Sequence, residues 1–227
     1  MNKLEFSFAG TRLTALPDGA LYWPEAELLV VSDLHLGKSE RIARRSGQML
    51  PPYETIDTLS RLDAAIAATN PTCVICLGDS FDDLEAGASL HEDQTAWLTR
   101  LMAGRRWIWI EGNHDPGPLE FGGSHLAEYH EGPLSFRHIA TPGGTGEVSG
   151  HYHPKTRLSV RGRQISRPCF LFDQDRLILP AFGTYTGGLR SDDSTLTALM
   201  GEDSTAILTG PVPCAVPMSH PRGAGRL

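Results

Sequence analysis

Short continuous apolar runs, separated by amphipathic stretches, set the rhythm of this chain. The clearest run is Leu28-Leu29-Val30-Val31. Four residues are too few for a helix core, so the run reads as a fully buried strand. The stretches TCVICL (72–77) and RWIWI (106–110) repeat the pattern. Between the first two runs, Ile56, Leu59, Leu62 and Ile66 fall at helical spacing. They predict a helix that opens at Pro51-Pro52 and ends before Asn70-Pro71. Ser89 and Glu92 form a capping-box pair for another helix to about Ala103, stopped by Gly104.

The flanks are more irregular. Leu4, Phe6 and Phe8 alternate within 3–13 and predict an edge strand turned at Ala9-Gly10, with another short strand near 20–23. Residues 37–50 are polar and basic. Lys38, Arg41, Arg44 and Arg45 there fall largely on one helical face, a candidate phosphate-contacting surface. Gly and Pro dominate 116–124 and predict an irregular loop. PLSFRHIA (133–140) and EVSGHYHP (147–154) look like a hairpin across TPGGTG, and 169–173 with 176–180 look like another across Gln174-Asp175. A glycine-rich loop at 181–188 and a strand near 205–209 precede a tail, from about 211, expected to be irregular.

Composition narrows the class. The chain has 227 residues, 40% hydrophobic and 21% charged, and reads as one soluble globular domain over 1–227. No run approaches the ~18–20 apolar residues of a membrane span, and the N-terminus lacks a signal-peptide core, so a cytoplasmic location without membrane contact is expected. A net charge of −7 argues against a generally basic nucleic-acid coat. Cys73 and Cys76 have C-x-x-C spacing but sit in an apparent strand, where i and i+3 face opposite sides. Reduced, mostly buried thiols are expected for all four cysteines.

What changes the picture is where the runs stop. Asp33 and His35 follow the first apolar run, Asp79 and Asp82 the second, and Asn113 and His114 the third. His138 lies toward the end of 133–140, and His151 with His153 toward the end of 147–154. In an open α/β sheet, ligands gather at the carboxyl ends of strands. If the strand alternation persists, Asp33 and His35 leave on one side together. Imidazole, carboxylate and amide oxygen without thiolate suit Mn, Fe or Zn, and a carboxylate such as Asp79 can bridge two ions.

The motifs D-x-H, G-D-x-x-D, G-N-H-D and G-H-x-H, in this order, resemble those of the calcineurin-like metallophosphoesterase superfamily, over about 28–190. The resemblance implies an α/β fold of four layers, with two mixed β-sheets packed face to face and helices outside. It implies two divalent ions, manganese first and zinc or iron as alternatives. Asp33, His35 and His153 would hold one ion, Asn113, His138 and His151 the other, with Asp79 between them. His125 or His130 could compete with His138. His114 would assist the leaving oxygen, and Asp82 would be a catalytic-site carboxylate orienting His114 or a ligand histidine. SDLHLGK, LGDSFDD, EGNHD and LPAFGTYTGG more narrowly resemble a bacterial branch encoded beside a DNA ligase and helicase. Asp83 departs from it, standing where many such sequences have His. The branch implies a DNA-repair phosphodiesterase or nuclease, with DNA as substrate and ligase and helicase as partners. Rival readings are hydrolysis of a cyclic nucleotide or nucleotide-sugar pyrophosphate, a degenerate binding scaffold, and a weakly active module of a repair complex. His91, His125, His130 and His220 otherwise read as surface or capping residues, and Trp97, Trp107 and Trp109 as core.

Overall fold

In the computed structural model, which describes residues 2–47, 51, 53–88, 90–117, 121–160 and 162–218, the N-terminal alternation is an antiparallel hairpin. Its strands are β1 (Leu4–Phe8) and β2 (Thr11–Ala15). β3 (Leu21–Trp23) and β4 (Leu28–Val31) continue the antiparallel order. From β4 onward the sheet is parallel, through β5 (Cys73–Leu77), β6 (Arg106–Ile110) and β7 (Ser124–Leu126). Parallel neighbours need crossovers, and helices supply them. α1 (Lys38–Ser46) and α2 (Glu54–Thr69) lead from β4 to β5, while α3 (Leu84–Ala88) and α4 (Glu92–Met102) lead to β6.

The second sheet is built from the later chain. β8 (Glu128–Glu131), β9 (Leu134–Arg137) and β10 (Glu147–Ser149) form one side. β11 (Lys155–Val160) pairs with the outer part of the long β12 (Arg163–Phe172). β13 (Arg176–Ile178), β14 (Thr205–Leu208) and β15 (Cys214–Pro217) complete the order β15-β14-β12-β13-β10-β9-β8.

Alternation along the buried strands divides their side chains between two cores. Leu28, Val30, Cys73 and Ile75 meet Phe136, Val148, Phe170 and Leu177 of the second sheet. Leu29, Val31, Val74 and Cys76 meet Leu59, Leu62, Ile66 and Leu98 beneath α2 and α4. On the far side, Cys169, Leu171 and Ile178 pack with Leu196 of α5 (Ser194–Leu199). The result is helices, sheet, sheet and helix in four layers, with both sheets mixed. Each fully buried Leu, Ile, Val or Phe contributes roughly 1.5–3 kcal/mol of transfer free energy. The strand ends between the two sheets are thereby clamped from both sides. No described helix is long and apolar enough to cross a membrane.

Several expectations change. Segments 133–140 and 147–154 are not a hairpin, because β9 and β10 pair in parallel. Nine residues, 138–146, carry the chain back before β10 begins, and Glu147 holds that return by accepting from the Thr141 N–H and hydroxyl. The loop expected at 116–124 gives way to β7 at Ser124, with 118–120 outside the described residues. The tail is not irregular throughout: β15 pairs with β14 from Thr205↔Pro217 to Leu208↔Cys214, while 219–227 lie outside the description. Ser89 of the expected capping box also lies outside it, and α4 begins behind His91, which makes no side-chain cap. Residues 48–50 and Pro52, in the expected helix boundaries, are likewise not described. Trp107 and Trp109 are core, whereas Trp97 is half-buried and donates to Asp63.

Candidate metal centre

Parallel pairing brings the chemistry to one edge. β4, β5 and β6 end together, so the loops after them carry Asp33/His35, Asp79/Asp82 and Asn113/His114 side by side. In the facing sheet β9 and β10 also end together, placing His138 beside His151. Had β9 and β10 formed a hairpin, the residues after each would have left at opposite edges.

The local conformation is not the extended one. Asp33, His35, Asp79, His151 and His153 all have positive φ, at 52°, 46°, 47°, 70° and 48°. Each such residue costs about 1–3 kcal/mol, a strain that persists where surrounding structure holds it and that clusters at functional sites. Asp33 and His35 therefore converge through two left-handed turns rather than through strand alternation. Main-chain bonds to the neighbouring loop hold those turns: Asp33 N–H donates to Gly78 O (3.3 Å) and His35 N–H to Asp79 O (2.9 Å). Glycine permits the close packing behind them. A Cβ at Gly150 would collide with the Ser32 hydroxyl and lie 2.6 Å from Asp33 Oδ2, and one at Gly112 would overlap the Asp79 backbone.

Asp33, His35 and His153 form one group whose ligand atoms lie within 4.8 Å of one another. Asp33 is fully buried, and its Oδ2 accepts from the Ser32 hydroxyl and from His151 N–H (3.0 Å). That leaves Oδ1, which faces His153 Nε2 at 3.1 Å. Asp82 Oδ1 lies 2.9 Å from His35 Nδ1 and so directs His35 Nε2 inward. Asp33 Oδ1, His35 Nε2 and His153 Nε2 are all buried; Asp33 Oδ1 and His153 Nε2 meet each other, and His35 Nε2 has no partner among the described residues. Three ligand atoms aimed at one point, one of them a nitrogen with no partner, fit a cation, since burying an unpaired acceptor is otherwise costly. Burial alone would raise the Asp33 pKa, but the His153 hydrogen bond and charge outweigh it and hold the carboxyl below its ordinary range.

Asp79, His138 and His151 form the second group by the same criterion. His138 Nδ1 lies 2.8 Å from Leu77 O and must donate there, which leaves Nε2 facing the site. Around Nε2 stand Asn113 Oδ1 at 3.0 Å, His151 Nδ1 at 3.2 Å and Asp79 Oδ2 at 3.4 Å. Burial would raise Asp79 and lower His138. Their mutual attraction wins in both, so Asp79 lies far below the carboxylate range and His138 above the imidazole range. A pocket that strengthens proton binding at His138 is one that favours positive charge. His151 is shifted down, by burial first and then by His138, and so offers a neutral nitrogen.

His114 stands beside the groups, as a member of neither. Its N–H donates to Asp79 Oδ1 (2.8 Å) and its Nδ1 lies 3.0 Å from Asp82 O. Its Nε2, 4.0 Å from Asp79 Oδ2, belongs to a ring about one-third exposed. Asp82 thus serves both histidines, His35 through its side chain and His114 through its carbonyl. The Asp82 carboxylate is fully buried, with Lys38 at 3.6 Å and Arg41 as an ion-pair partner. Burial would raise its pKa, but His35, Lys38 and Arg41 together lower it to about 2. Arg44 and Arg45 pair with Asp83, and Arg44 also with Glu85. The basic face expected to meet phosphates is engaged with the protein's own carboxylates.

Two supporting residues escaped the sequence reading. Asp115 accepts from Ser80 N–H (2.8 Å) and Phe81 N–H (3.1 Å), pinning the turn that carries Asp79. Burial, with Asp79 nearby, lifts its pKa to about 6. Its place in G-N-H-D was the available signal. Ser32 carried none, since a serine before the D-x-H pair reads as filler. Among the competing histidines, His130 is exposed and 3.1 Å from Glu128, and His125 stacks near Trp109. Neither joins the second group. His91 is exposed ahead of α4, and His220 lies outside the description.

A family model for the calcineurin-like phosphoesterases matches residues 26–179. The fold is similar to that of the nuclease MPE of Pseudomonas putida, at 31% identity and a TM-score of 0.75. The match covers 94% of this chain and 100% of that one. No curated protein matches the sequence significantly.

Proposed function

The chain belongs to the calcineurin-like phosphoesterase family, and on that premise we propose that it hydrolyses phosphodiesters with two divalent ions, DNA being the substrate. The observation that carries this reading is the first group, where three buried ligand atoms converge, Asp33 Oδ1 and His153 Nε2 against each other and His35 Nε2 with no partner among the described residues. The similarity to a nuclease at 31% identity favours a nucleic acid over a small nucleotide, and the motif resemblance favours DNA. Asp33, His35 and His153 would hold one ion. Asn113, His138 and His151 would hold the other, with Asp79 shared. Manganese is the ion proposed, given oxygen and imidazole donors without thiolate. We read the layered chain as one domain, acting in the cytoplasm in DNA repair beside a ligase and helicase, as the motif resemblance implies.

When bound, the ions supply Lewis acidity, which activates the attacking water and stabilises charge on the phosphoryl oxygens. The remaining steps belong to the protein. Asp82 and Ser32 fix the orientation of His35 and Asp33, so the site needs little rearrangement when substrate arrives. His114, held at Nδ1 by Asp82 O, presents Nε2 to the departing oxygen and donates a proton there.

The test pairs metal analysis with two substrates. Wild-type protein should bind two ions per chain and hydrolyse both a nitrophenyl diester and DNA in manganese. His114→Ala should keep both ions and lose about 10²–10⁴-fold on DNA, whose alkoxide leaves poorly without a proton. It should lose far less on the nitrophenyl diester. One ion per chain, or no turnover of any diester, would refute the two-metal reading.

A further inference from the structure

Immediately after His153 the chain leaves the site as a two-stranded arm, β11 with the outer half of β12. Its charge is unlike that of the whole protein. Between Glu147 and Asp173 there is no acidic residue, although the chain has 27, whereas Lys155, Arg157, Arg161, Arg163 and Arg167 all fall there. Arg161 lies outside the described residues. Arg157, Arg163 and Arg167 are exposed and have no ion pair or side-chain hydrogen bond among the described residues. The cations of α1, by contrast, are matched to Asp82, Asp83 and Glu85.

The root of the arm is fixed. Lys155 N–H donates to Leu189 O (2.8 Å) and Lys155 Nζ to Thr186 O (3.0 Å). The Thr156 hydroxyl is buried against the Ser191 hydroxyl. By register, Lys155, Arg157 and Ser159 share one face with Gln164, Ser166 and Pro168, so that face is polar except for Pro168 at the root. Arg163 and Arg167 lie on the other face, beside Leu158 and Ile165. Six residues at about 3.3 Å each carry the arm roughly 17–20 Å from its root. At about 3.4 Å per nucleotide along a duplex strand, that is a run of about five or six phosphates.

Resting on the DNA reading above, we propose that the β11–β12 arm is a backbone-tracking element for duplex DNA, with Arg157, Arg163 and Arg167 contacting phosphates remote from the one cleaved. Cations without protein counter-charges, in a chain of net charge −7, have kept their charge available for a polyanion. A fixed root two residues after His153 sets the register between the phosphates held and the phosphate hydrolysed. A two-stranded ribbon also fits a duplex groove. Exposed arginines on an edge strand could instead merely prevent strand pairing between copies, and the experiment separates the two.

The combined variant Arg157→Glu, Arg163→Glu and Arg167→Glu is compared with wild type in manganese on a fluorescent 20-base-pair duplex and on a nitrophenyl diester. Three lost phosphate contacts should make the slope of log affinity against log salt shallower by about 2.7. Duplex kcat/KM should fall about 10- to 100-fold, with diester turnover unchanged. The matching triple Arg→Lys variant should keep most duplex cleavage, because charge rather than shape is what counts. An unchanged salt slope or unchanged duplex cleavage overturns the proposal. Equal loss on both substrates overturns it too, and assigns the arm to support of the site. A variant that self-associates while cutting the duplex normally means the arginines guard an edge instead. Wild-type protein that turns over the diester but neither binds nor cuts the duplex overturns this proposal, and the DNA reading falls with it only if a single-stranded 20-mer is also neither bound nor cut.

Discussion

The two ligand groups draw on the same residue types at the same sheet edge, yet they are finished differently. Around Asp33, His35 and His153 the outer atoms are held from behind, and one inner atom, His35 Nε2, is bare. Ser32 and the His151 N–H occupy Asp33 Oδ2, Asp82 directs His35, and of the inner atoms Asp33 Oδ1 and His153 Nε2 face each other at 3.1 Å while His35 Nε2 meets no partner among the described residues. Around His138 the inner atoms already meet one another, with Asn113, His151 and Asp79 at 3.0–3.4 Å from one nitrogen. The first group is pre-organised from behind and incomplete in front. The second can satisfy itself with a proton. Preformed ligands held by an outer ring of hydrogen bonds bind metal more tightly than ligands that must first give up a partner. The first group should therefore hold its ion more firmly.

Asp79→Asn should break the contrast altogether and give the largest effect. Its carboxylate meets His138 and the His114 backbone, and under the proposal that it is shared between the two ions its loss should lower occupancy at both groups, with diester turnover falling roughly 10²–10³-fold or more. Metal content by mass spectrometry that stays at two ions per chain, with activity intact, would remove the bridging role. Asp33→Asn should sharpen the contrast by emptying the first group alone, leaving about one ion per chain.

Asp82→Asn comes next. It weakens the hold on His35 without touching the second group, so the first ion should bind about 10–100-fold more weakly. Titration of metal-free protein should show one affinity shifted and the other not; two equal shifts would mean that Asp82 supports the loop as a whole. Gly150→Ala should act through sterics, since a Cβ there meets Ser32 and Asp33. A loss of about 1–3 kcal/mol in stability is expected from overpacking, read in urea unfolding, together with weaker metal binding at the first group. The smallest effect should come from Arg41→Gln. Because Arg41 pairs with buried Asp82, it should slow DNA and nitrophenyl diester alike, by several-fold at most. A loss confined to DNA would restore α1 as a phosphate-contacting face.

Much of this was written locally. The runs at 28–31, 73–77 and 106–110 are strands because four or five consecutive apolar residues suit a strand covered on both faces. The apolar stripe of Leu59, Leu62 and Ile66 packs beneath α2, although Ile56 is exposed. The residue types at the strand ends, together with the motif resemblance, picked out every member of both groups, because ligand chemistry depends on side-chain identity. The sequence by itself determined those elements and that chemistry. Only the tertiary structure decided the direction of β10, since the glycine-rich TPGGTG is compatible with a turn or a return and the choice rests on distant strands. It also decided that Asp33 and His35 converge through left-handed residues, and that His138 rather than His125 or His130 meets Asp79. It decided, too, that the arginines of α1 are engaged while Arg157, Arg163 and Arg167 of the arm have no ion pair among the described residues. Each of these depends on which surfaces meet across the two sheets, and contacts between residues a hundred positions apart leave no period in the chain.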